Sequence, residues 1–207
     1  MGRYTNAVCR LCRREGMKLY LKGEKCYTEK CPVHKRPVPP GMHGQSRRKL
    51  SEFGIRLREK QKLRRIYGIF ETQFKTYFHQ AAKAKGVTGV RLLQLLETRL
   101  DNVVYRLGFA TSRKEARQMV LHGHVAVNNR KVTVPSFHVR PGELVSPTAR
   151  GREHPRVKEL AITGLRTLPS WLEFNAERLE GRVLALPARE EIDVPVQEQL
   201  IVEHYSR

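Results

Sequence analysis

Four cysteines near the start of the chain have the spacing of a metal site. Two residues separate Cys9 from Cys12, four separate Cys26 from Cys31, and thirteen lie between the two pairs. Each pair can direct two sulfurs to one ion, and the intervening loop is long enough to bring the pairs together. Zinc suits four thiolates best, a [4Fe–4S] cluster and four free thiols are the alternatives, and His34 could replace one sulfur. A complete thiolate set indicates a structural site, since catalytic zinc keeps an open position.

A second motif places two cations at the start of a helix. Ser112 and Glu115 have the spacing of a capping box, which predicts a helix beginning there. Arg113 and Lys114 then occupy the first turn, where the helix dipole disfavours cations by about 0.3–1 kcal/mol each. A phosphate bound at this helix N-terminus would turn that cost into a gain, and Arg117, one turn on, would extend the contact. The alternative is a tolerated surface charge.

Positive charge is concentrated towards the beginning of the chain. Residues 1–90 contain 22 Lys and Arg against 6 Asp and Glu, residues 91–150 contain 10 against 4, and residues 151–207 contain 8 against 10. The formal net charge of +20 opposes a compact state unless a polyanion binds. Nucleic acid is the favoured polyanion, because Lys and Arg contacts to phosphate release counterions. An anionic membrane surface is the weaker alternative.

The apolar segments are too short for a membrane protein. No apolar run approaches the roughly 18 residues of a spanning helix, and residues 1–10 lack the apolar stretch of a secretion signal. We therefore expect a cytoplasmic protein. In that reducing compartment, cysteines bind metal more often than they form disulfides.

Two further basic segments precede the capping motif. Residues 37–44, rich in Pro and Gly, predict a stiff linker, and three basic residues follow it. The linker is either a solvated spacer or a phosphate contact, and we favour the contact. In the helix predicted over 51–67, Arg58, Lys62 and Arg65 share one face. That face is either solvated or lies along a phosphate backbone, and we favour the second interpretation.

Hydrophobic periodicity predicts the remaining elements. A helix is expected over 71–85, and the clearest amphipathic helix covers 91–107, with a Leu and Val stripe that belongs to the core. Asn128–Asn129 separates two alternating segments, which predicts a hairpin with a tight turn because Asn accepts positive φ. A third short strand is expected over 143–145, and the segment 194–202 is expected to be extended.

Taken in order, these segments resemble the bacterial small-subunit ribosomal protein S4 family over nearly the whole chain. Met42 stands where many family members have Gln. Only one branch of the family has the four cysteines, and members without them still function, so the resemblance implies a stabilising zinc. The segments that carry the resemblance are residues 1–4, the four cysteines, 39–44, 57–68, 96–109, 112–128 and 198–207.

The resemblance implies an α+β fold that is mostly helical. Residues 1–45 would form a metal-binding basic extension with a cysteine-ligated knuckle, and residues 46–95 a helical domain. Residues 96–150 would form an inserted small RNA-binding module of two helices and a short antiparallel sheet. Residues 151–207 would pack back on the helical domain.

The resemblance also implies a function and partners. The protein would be a structural component of the small ribosomal subunit, a primary binder of its ribosomal RNA that nucleates assembly of the five-prime domain and contributes to translational accuracy. Neighbouring small-subunit ribosomal proteins, and messenger RNA where it enters the subunit, would be further partners. No membrane and no small-molecule substrate is expected.

The charge pattern and the resemblance together nominate the RNA-binding residues. In the first part of the chain these are Arg3, Tyr4, Arg10, Arg13, Arg14, Arg47, Arg48, Lys49, Arg56, Arg58, Lys62, Arg65 and Tyr67. The resemblance places a second group on the RNA-facing motif: Ser112, Arg113, Lys114, Arg117, Gln118, His122, Gly123, His124 and Asn128. We add Lys131 to this group.

An enzyme is the main competing interpretation, because pseudouridine synthases contain the same small module. Residues Arg99 to Asp101 are similar to the Arg-Leu-Asp around the catalytic Asp of those enzymes. We expect Asp101 to pair with a neighbouring Arg instead, since the chain has no room for the large sheet domain that such an enzyme needs. No nucleophile elbow and no Gly-rich phosphate loop is present in the sequence. A zinc-bearing DNA regulator is disfavoured, because no base-reading finger helix follows the cysteines.

Overall fold

The computed structural model describes residues 2–45, 49–163 and 168–206. Unit 1 comprises Met1–Leu92 together with Val194–Arg207, and unit 2 comprises Leu93–Asp193. The described part of the chain combines helices with one antiparallel sheet, in agreement with the expected α+β class. Within it, no helix is both long and apolar enough to cross a bilayer.

The elements alternate with short connections. A short 3-10 helix (Gly23–Cys26) lies between the first two helices. In chain order the helices are α1 (Cys9–Glu15), α2 (Pro32–Lys35), α3 (Glu52–Ile66), α4 (Glu71–Lys83), α5 (Thr88–Glu97), α6 (Leu100–Arg106), α7 (Arg113–Leu121), α8 (Ala149–Arg152), α9 (Pro155–Thr163) and α10 (Glu198–Tyr205). The strands are β1 (Val125–Val127), β2 (Arg130–Lys131), β3 (Leu144–Pro147), β4 (Leu172–Asn175) and β5 (Glu180–Val183).

The predicted helices of unit 1 are confirmed. The Ser51 hydroxyl accepts a hydrogen bond from the Gly54 amide at 3.2 Å, which caps α3 at its first turn. Four aromatic or small apolar side chains on one side of α4 are buried. They are Phe74, Tyr77, Phe78 and Ala81.

The expected extended segment over 194–202 is wrong from Glu198 onwards, where α10 begins. Ile201 on α10 is fully buried, and the Tyr205 ring lies 4.5 Å from the Phe78 ring between centroids. These two residues are one helical turn apart, so a helix buries both on one side, whereas a strand would separate them. Packing against α3 and α4 therefore overrides the local strand preference of this Val- and Ile-rich segment.

The expected single helix over 91–107 is also wrong, because the chain breaks into α5 and α6. Arg99 is extended, with φ −63° and ψ 137°. The Leu100 amide donates to the Phe137 carbonyl at 2.8 Å, and the Thr98 carbonyl accepts from the Val139 amide at 2.9 Å. Pairing with the 137–139 segment thus replaces helical hydrogen bonds at this point. The apolar stripe survives the break, since most of its members remain buried: Leu92, Leu93, Leu96, Leu100, Val103, Val104 and Leu107.

The predicted hairpin of unit 2 is confirmed. Asn128 and Asn129 have φ of 48° and 63°, as the two central residues of a type I′ turn require. Ala126 pairs with Lys131 across the turn, and β3 pairs with the other edge of β1.

Two strands that the sequence analysis did not predict complete the sheet, whose order is β2-β1-β3-β5-β4 with every pair antiparallel. Val145 of β3 pairs with Gly181 of β5, which places residues 151–193 in unit 2. Only the part of the C-terminal segment from Val194 onwards belongs to unit 1. The core of unit 2 contains the single tryptophan, Trp171, and Leu107.

Candidate nucleic-acid interface

The four cysteines converge on one small cavity of unit 1. Cys9 and Cys12 lie one turn apart on α1, Cys26 ends the 3-10 helix, and Cys31 immediately precedes α2. All four are free thiols, and all but Cys9 are buried. The cavity that they line has a volume of about 10 Å³, close to the smallest space that holds one water molecule. The two cysteine pairs thus meet across the loop that separates them.

The electrostatics of the cavity favour neutral thiols when no cation is bound. Burial raises the pKa of Cys12 and of Cys26, and the neighbouring thiols raise both further. The Lys22 amide donates a 3.3 Å hydrogen bond to the Cys26 sulfur, which opposes that increase. Within residues 2–45, 49–163 and 168–206, no three His, Cys, Asp or Glu side chains are arranged closely enough to hold a metal ion. The exposed His34 does not line the cavity. The predicted metal therefore stays a prediction.

Glu15, the last residue of α1, ties the cysteine-bearing segment to α3. Its carboxylate accepts hydrogen bonds from Arg65 and, at 3.4 Å between oxygen and nitrogen, from Arg58. The Glu15 side chain is buried, so its pKa is raised by burial even though both guanidinium groups lower it. Lys62, between these arginines, pairs with Glu59. The α3 cations that we expected along a phosphate backbone are thus engaged with carboxylates of the same chain.

Arg56 and Tyr67, also nominated for RNA binding, have structural partners in unit 1. Arg56 pairs with Glu52 at 3.0 Å and with Glu203 of α10 at 2.9 Å. Tyr67 is buried directly after α3. Sequence reasoning missed Glu15 and Glu203 as partners of the α3 arginines. The available signals were weak: Glu15 is an isolated carboxylate in a strongly basic segment, and Glu203 lies near the end of the chain.

The remaining nominated residues of unit 1 lie mostly at the surface. The Arg13 side chain donates a 2.8 Å hydrogen bond to the Val38 carbonyl, and Tyr4 is half-buried. Arg47 and Arg48 lie outside the described residues. The exposed cations are Arg3, Arg10, Arg14 and Lys49.

The predicted cap of α7 is confirmed, with one difference. The Ser112 hydroxyl accepts from the Glu115 amide at 3.4 Å. The Glu115 carboxylate reaches one residue beyond the expected partner, accepting from the amide and the hydroxyl of Thr111 at 2.7 and 2.6 Å. In the first turn, the Arg113 guanidinium lies 4.6 Å from the Tyr105 ring centroid, and Lys114 is exposed. The Arg113 Nε also donates a 2.8 Å hydrogen bond to the Asn102 side-chain oxygen, so the helix start presents an exposed Lys114 beside a half-buried, anchored Arg113.

Arg117 is not on that surface, because its guanidinium is buried against Asp101. Their Nη1 and Oδ2 atoms are 3.1 Å apart. Arg99 binds the same carboxylate at two points, at 3.0 and 2.7 Å. The expectation that Asp101 pairs with a neighbouring Arg is confirmed. A similar pair follows, in which Arg106 binds the buried Glu97 at 3.0 and 2.8 Å.

Further polar side chains lie along α7 and the hairpin. Gln118 and His122, spaced by four residues after Lys114, are exposed on the same side of the helix. The Lys131 side chain of β2 packs directly over Gly123. A Cβ atom added at Gly123 would lie only 2.1 Å from it. His124 lies beside this lysine, and burial together with the neighbouring cations lowers its pKa. Asn128 is at the hairpin turn, and its side-chain oxygen accepts from the Leu144 amide at 2.9 Å.

Comparison with known proteins gives consistent family matches. The family described as "Ribosomal protein S4/S9 N-terminal domain" matches residues 3–97, and the one described as "S4 domain" matches residues 98–145. The chain is 64% identical to small ribosomal subunit protein uS4A of Symbiobacterium thermophilum and 59% identical to small ribosomal subunit protein uS4 of Dictyoglomus turgidum. Both alignments cover 100% of this chain and 100% of the relative.

Proposed function

Because the chain belongs to the ribosomal protein S4 family, we propose that it is a structural component of the small ribosomal subunit and binds small-subunit ribosomal RNA. The observation that carries the proposal is the full-length similarity to proteins named as small ribosomal subunit components. The net charge of +20 supports it, since ribosomal RNA supplies the phosphates that such a chain requires. Because small ribosomal subunits are cytoplasmic, the protein is cytoplasmic too.

The described surfaces suggest which residues meet the RNA. In unit 2, the exposed stripe from Lys114 to Lys131 combines cations with polar side chains at one helix start and one hairpin, and Arg113 is held beside it by Tyr105. Backbone amides at a helix start bind phosphate well. Ser112 and Arg117 support this surface from beneath. Ser112 caps α7, and Arg117 pairs with the buried Asp101.

In unit 1, the exposed cations of the extension are the better candidates for direct contacts with RNA. The arginines of α3 already have carboxylate partners, so RNA would have to compete with Glu15 for Arg58 and Arg65. We infer that α3 contributes mainly through its net charge, and the extension through direct phosphate contacts. Either contribution weakens with salt, because both depend on counterion release.

The finer roles expected from the family are proposals of the same kind. The protein would bind early, nucleate the five-prime domain of the ribosomal RNA, contact neighbouring ribosomal proteins and messenger RNA where it enters the subunit, and influence accuracy. Enzymatic catalysis is disfavoured, since both oxygens of Asp101 accept hydrogen bonds from buried arginines and the group has a structural role.

We also propose that the four cysteines bind one structural zinc ion, with a [4Fe–4S] cluster as the alternative. All four cysteines line a single small cavity, and a backbone amide already donates to the Cys26 sulfur. A divalent cation would displace the thiol protons that burial retains. When bound, zinc would supply a rigid cross-link between α1, the 3-10 helix and α2. Elemental analysis of protein purified without added metal should give one zinc per chain, and four titratable thiols with neither zinc nor iron would contradict the proposal.

A double lysine variant, with a single-lysine control, tests RNA binding. In one variant, Lys114→Gln and Lys131→Gln are combined on the proposed surface, and in the control Lys158→Gln removes an exposed charge of α9. Affinity for a transcript of the small-subunit ribosomal RNA is measured over a range of salt concentrations. The double variant should bind more weakly and reduce the salt slope by about one unit for each lost phosphate contact, whereas the control should resemble the wild type. Equal slopes for all three proteins would contradict the assignment of this surface.

A further inference from the structure

The loop between Cys12 and Cys31 carries two exposed aromatic side chains, Tyr20 and Tyr27, that neither the core nor the interface above explains. Tyr20 is 42% exposed and Tyr27 is 70% exposed. Their ring centroids are 4.9 Å apart and their planes are inclined by 33°. This tilted contact covers part of each ring, and Tyr27 keeps the larger exposed fraction of the two.

The backbone fixes this pair in place. Tyr20 has a φ of 51°, a left-handed conformation that is uncommon and unfavourable for a bulky residue. Each tyrosine directly follows a buried residue, Leu19 in the first case and Cys26 in the second. The buried side chains of Leu19 and Cys26 and the left-handed backbone of Tyr20 therefore determine where the two rings project. Such local strain is found most often where a side chain has a function.

Three lysines lie close to Tyr20 in the structure, and two of them, Lys22 and Lys25, lie close to Tyr27 in the sequence. Lys18, Lys22 and Lys25 line the same cysteine cavity as Tyr20, and the last two are exposed. Residues 17–30 contain four lysines against two glutamates. Aromatic rings that stack bases, set among cations that contact the backbone, are the usual means of holding a single-stranded nucleic acid.

We propose that Tyr20 and Tyr27 form a stacking site for an unpaired base of single-stranded RNA, with Lys22 and Lys25 contacting the adjacent phosphates. The ligand is single-stranded because bases within an A-form helix are stacked on each other and unavailable to a side chain. The site accepts any base, since every base has a π face. This inference rests on the proposed RNA-binding function and adds a contact that the charge pattern alone did not indicate.

The test uses the full-length protein and an octauridylate probe that carries 2-aminopurine at its centre. Stacking of 2-aminopurine on an aromatic ring quenches its fluorescence, so one titration gives both affinity and stacking. Tyr27→Leu keeps the bulk and removes the ring, and should weaken binding about ten-fold and remove the quenching. Tyr27→Phe keeps the ring and should bind within about two-fold of the wild type.

Phe70→Leu is the matched control, because Phe70 is a partly exposed aromatic residue of the same unit outside this loop. It should bind the probe as the wild type does. Unchanged binding by Tyr27→Leu would overturn the inference, as would equal losses in Tyr27→Leu and Tyr27→Phe, which would indicate a structural role of the hydroxyl.

Binding of each variant to the ribosomal RNA transcript is measured in parallel. If the wild type binds the transcript while Tyr27→Leu leaves probe binding intact, the stacking site fails and the proposed function stands. If the wild type does not bind the transcript, the proposed function itself fails.

Discussion

Substitution of Asp101 by Asn tests the buried charge cluster of unit 2. The Asp101 side chain is 6% exposed, and the side chains of its partners Arg99 and Arg117 are 0% and 9% exposed. Three hydrogen bonds of 2.7 to 3.1 Å join the two guanidinium groups to one carboxylate. Asn retains the shape and one acceptor, but it leaves two buried cations without their shared negative charge.

The expected loss of stability is large. Removing one partner of a buried ion pair costs about 3–5 kcal/mol, and the retained acceptor places this variant near the lower limit. Against a total free energy of unfolding of about 5–15 kcal/mol, a loss of about 3 kcal/mol is a substantial fraction. For a unit of this size it corresponds to a fall in Tm of more than about 10 °C.

Trp171 provides the assay, because it is the only tryptophan of the chain and is 2% exposed in the core of unit 2. Urea unfolding followed by its fluorescence reports on this unit. Asp193→Asn is the control, since it makes the same chemical change at an exposed carboxylate and should cost less than about 0.5 kcal/mol. Equal unfolding midpoints for the two variants would refute the structural role of Asp101. A stable Asp101→Asn protein that had lost a uridine isomerisation activity would favour the enzyme interpretation instead.

Two further outcomes are expected. Burial raises the pKa of Glu71, but hydrogen bonds from a lysine and from Tyr205 bring it below its ordinary value of 4.5. Its stabilisation is therefore present above about pH 4.5 and lost as the pH falls through the lowered pKa, so Tyr205→Phe should be less stable than the wild type at pH 7 and equal to it in stronger acid. Gly181→Ala should cost about 1–3 kcal/mol in urea unfolding, since the new Cβ would lie 2.3 Å from Leu107 carbons.

Local signals in the sequence predicted the elements that depend on local chemistry. The cap at Ser112, the Asn128–Asn129 turn and the helices of unit 1 follow from residue types only a few positions apart. The break at Arg99 could not be predicted in this way, because the apolar period continues through it and its cause is hydrogen bonding to residues 137–139. The helix from Glu198 depends in the same way on distant packing partners.

The candidate site was predictable to a similar extent. The four cysteines and the exposed cations were found from spacing and charge. Periodicity could not separate surface arginines from paired ones, because the partners are far away in the sequence. Arg58 meets Glu15 across 43 positions, and Arg56 meets Glu203 across 147. A regular row of cations on a helix therefore identifies a face but does not reveal what lies against it.

The division of unit 1 between residues 1–92 and 194–207 has a consequence for biogenesis. All of unit 2 leaves the translating ribosome before Ile201 and Tyr205 can pack against α3 and α4, so unit 1 matures last although its first residues emerge earliest. A polypeptide interrupted before codon 194 would display an uncovered apolar surface on those helices.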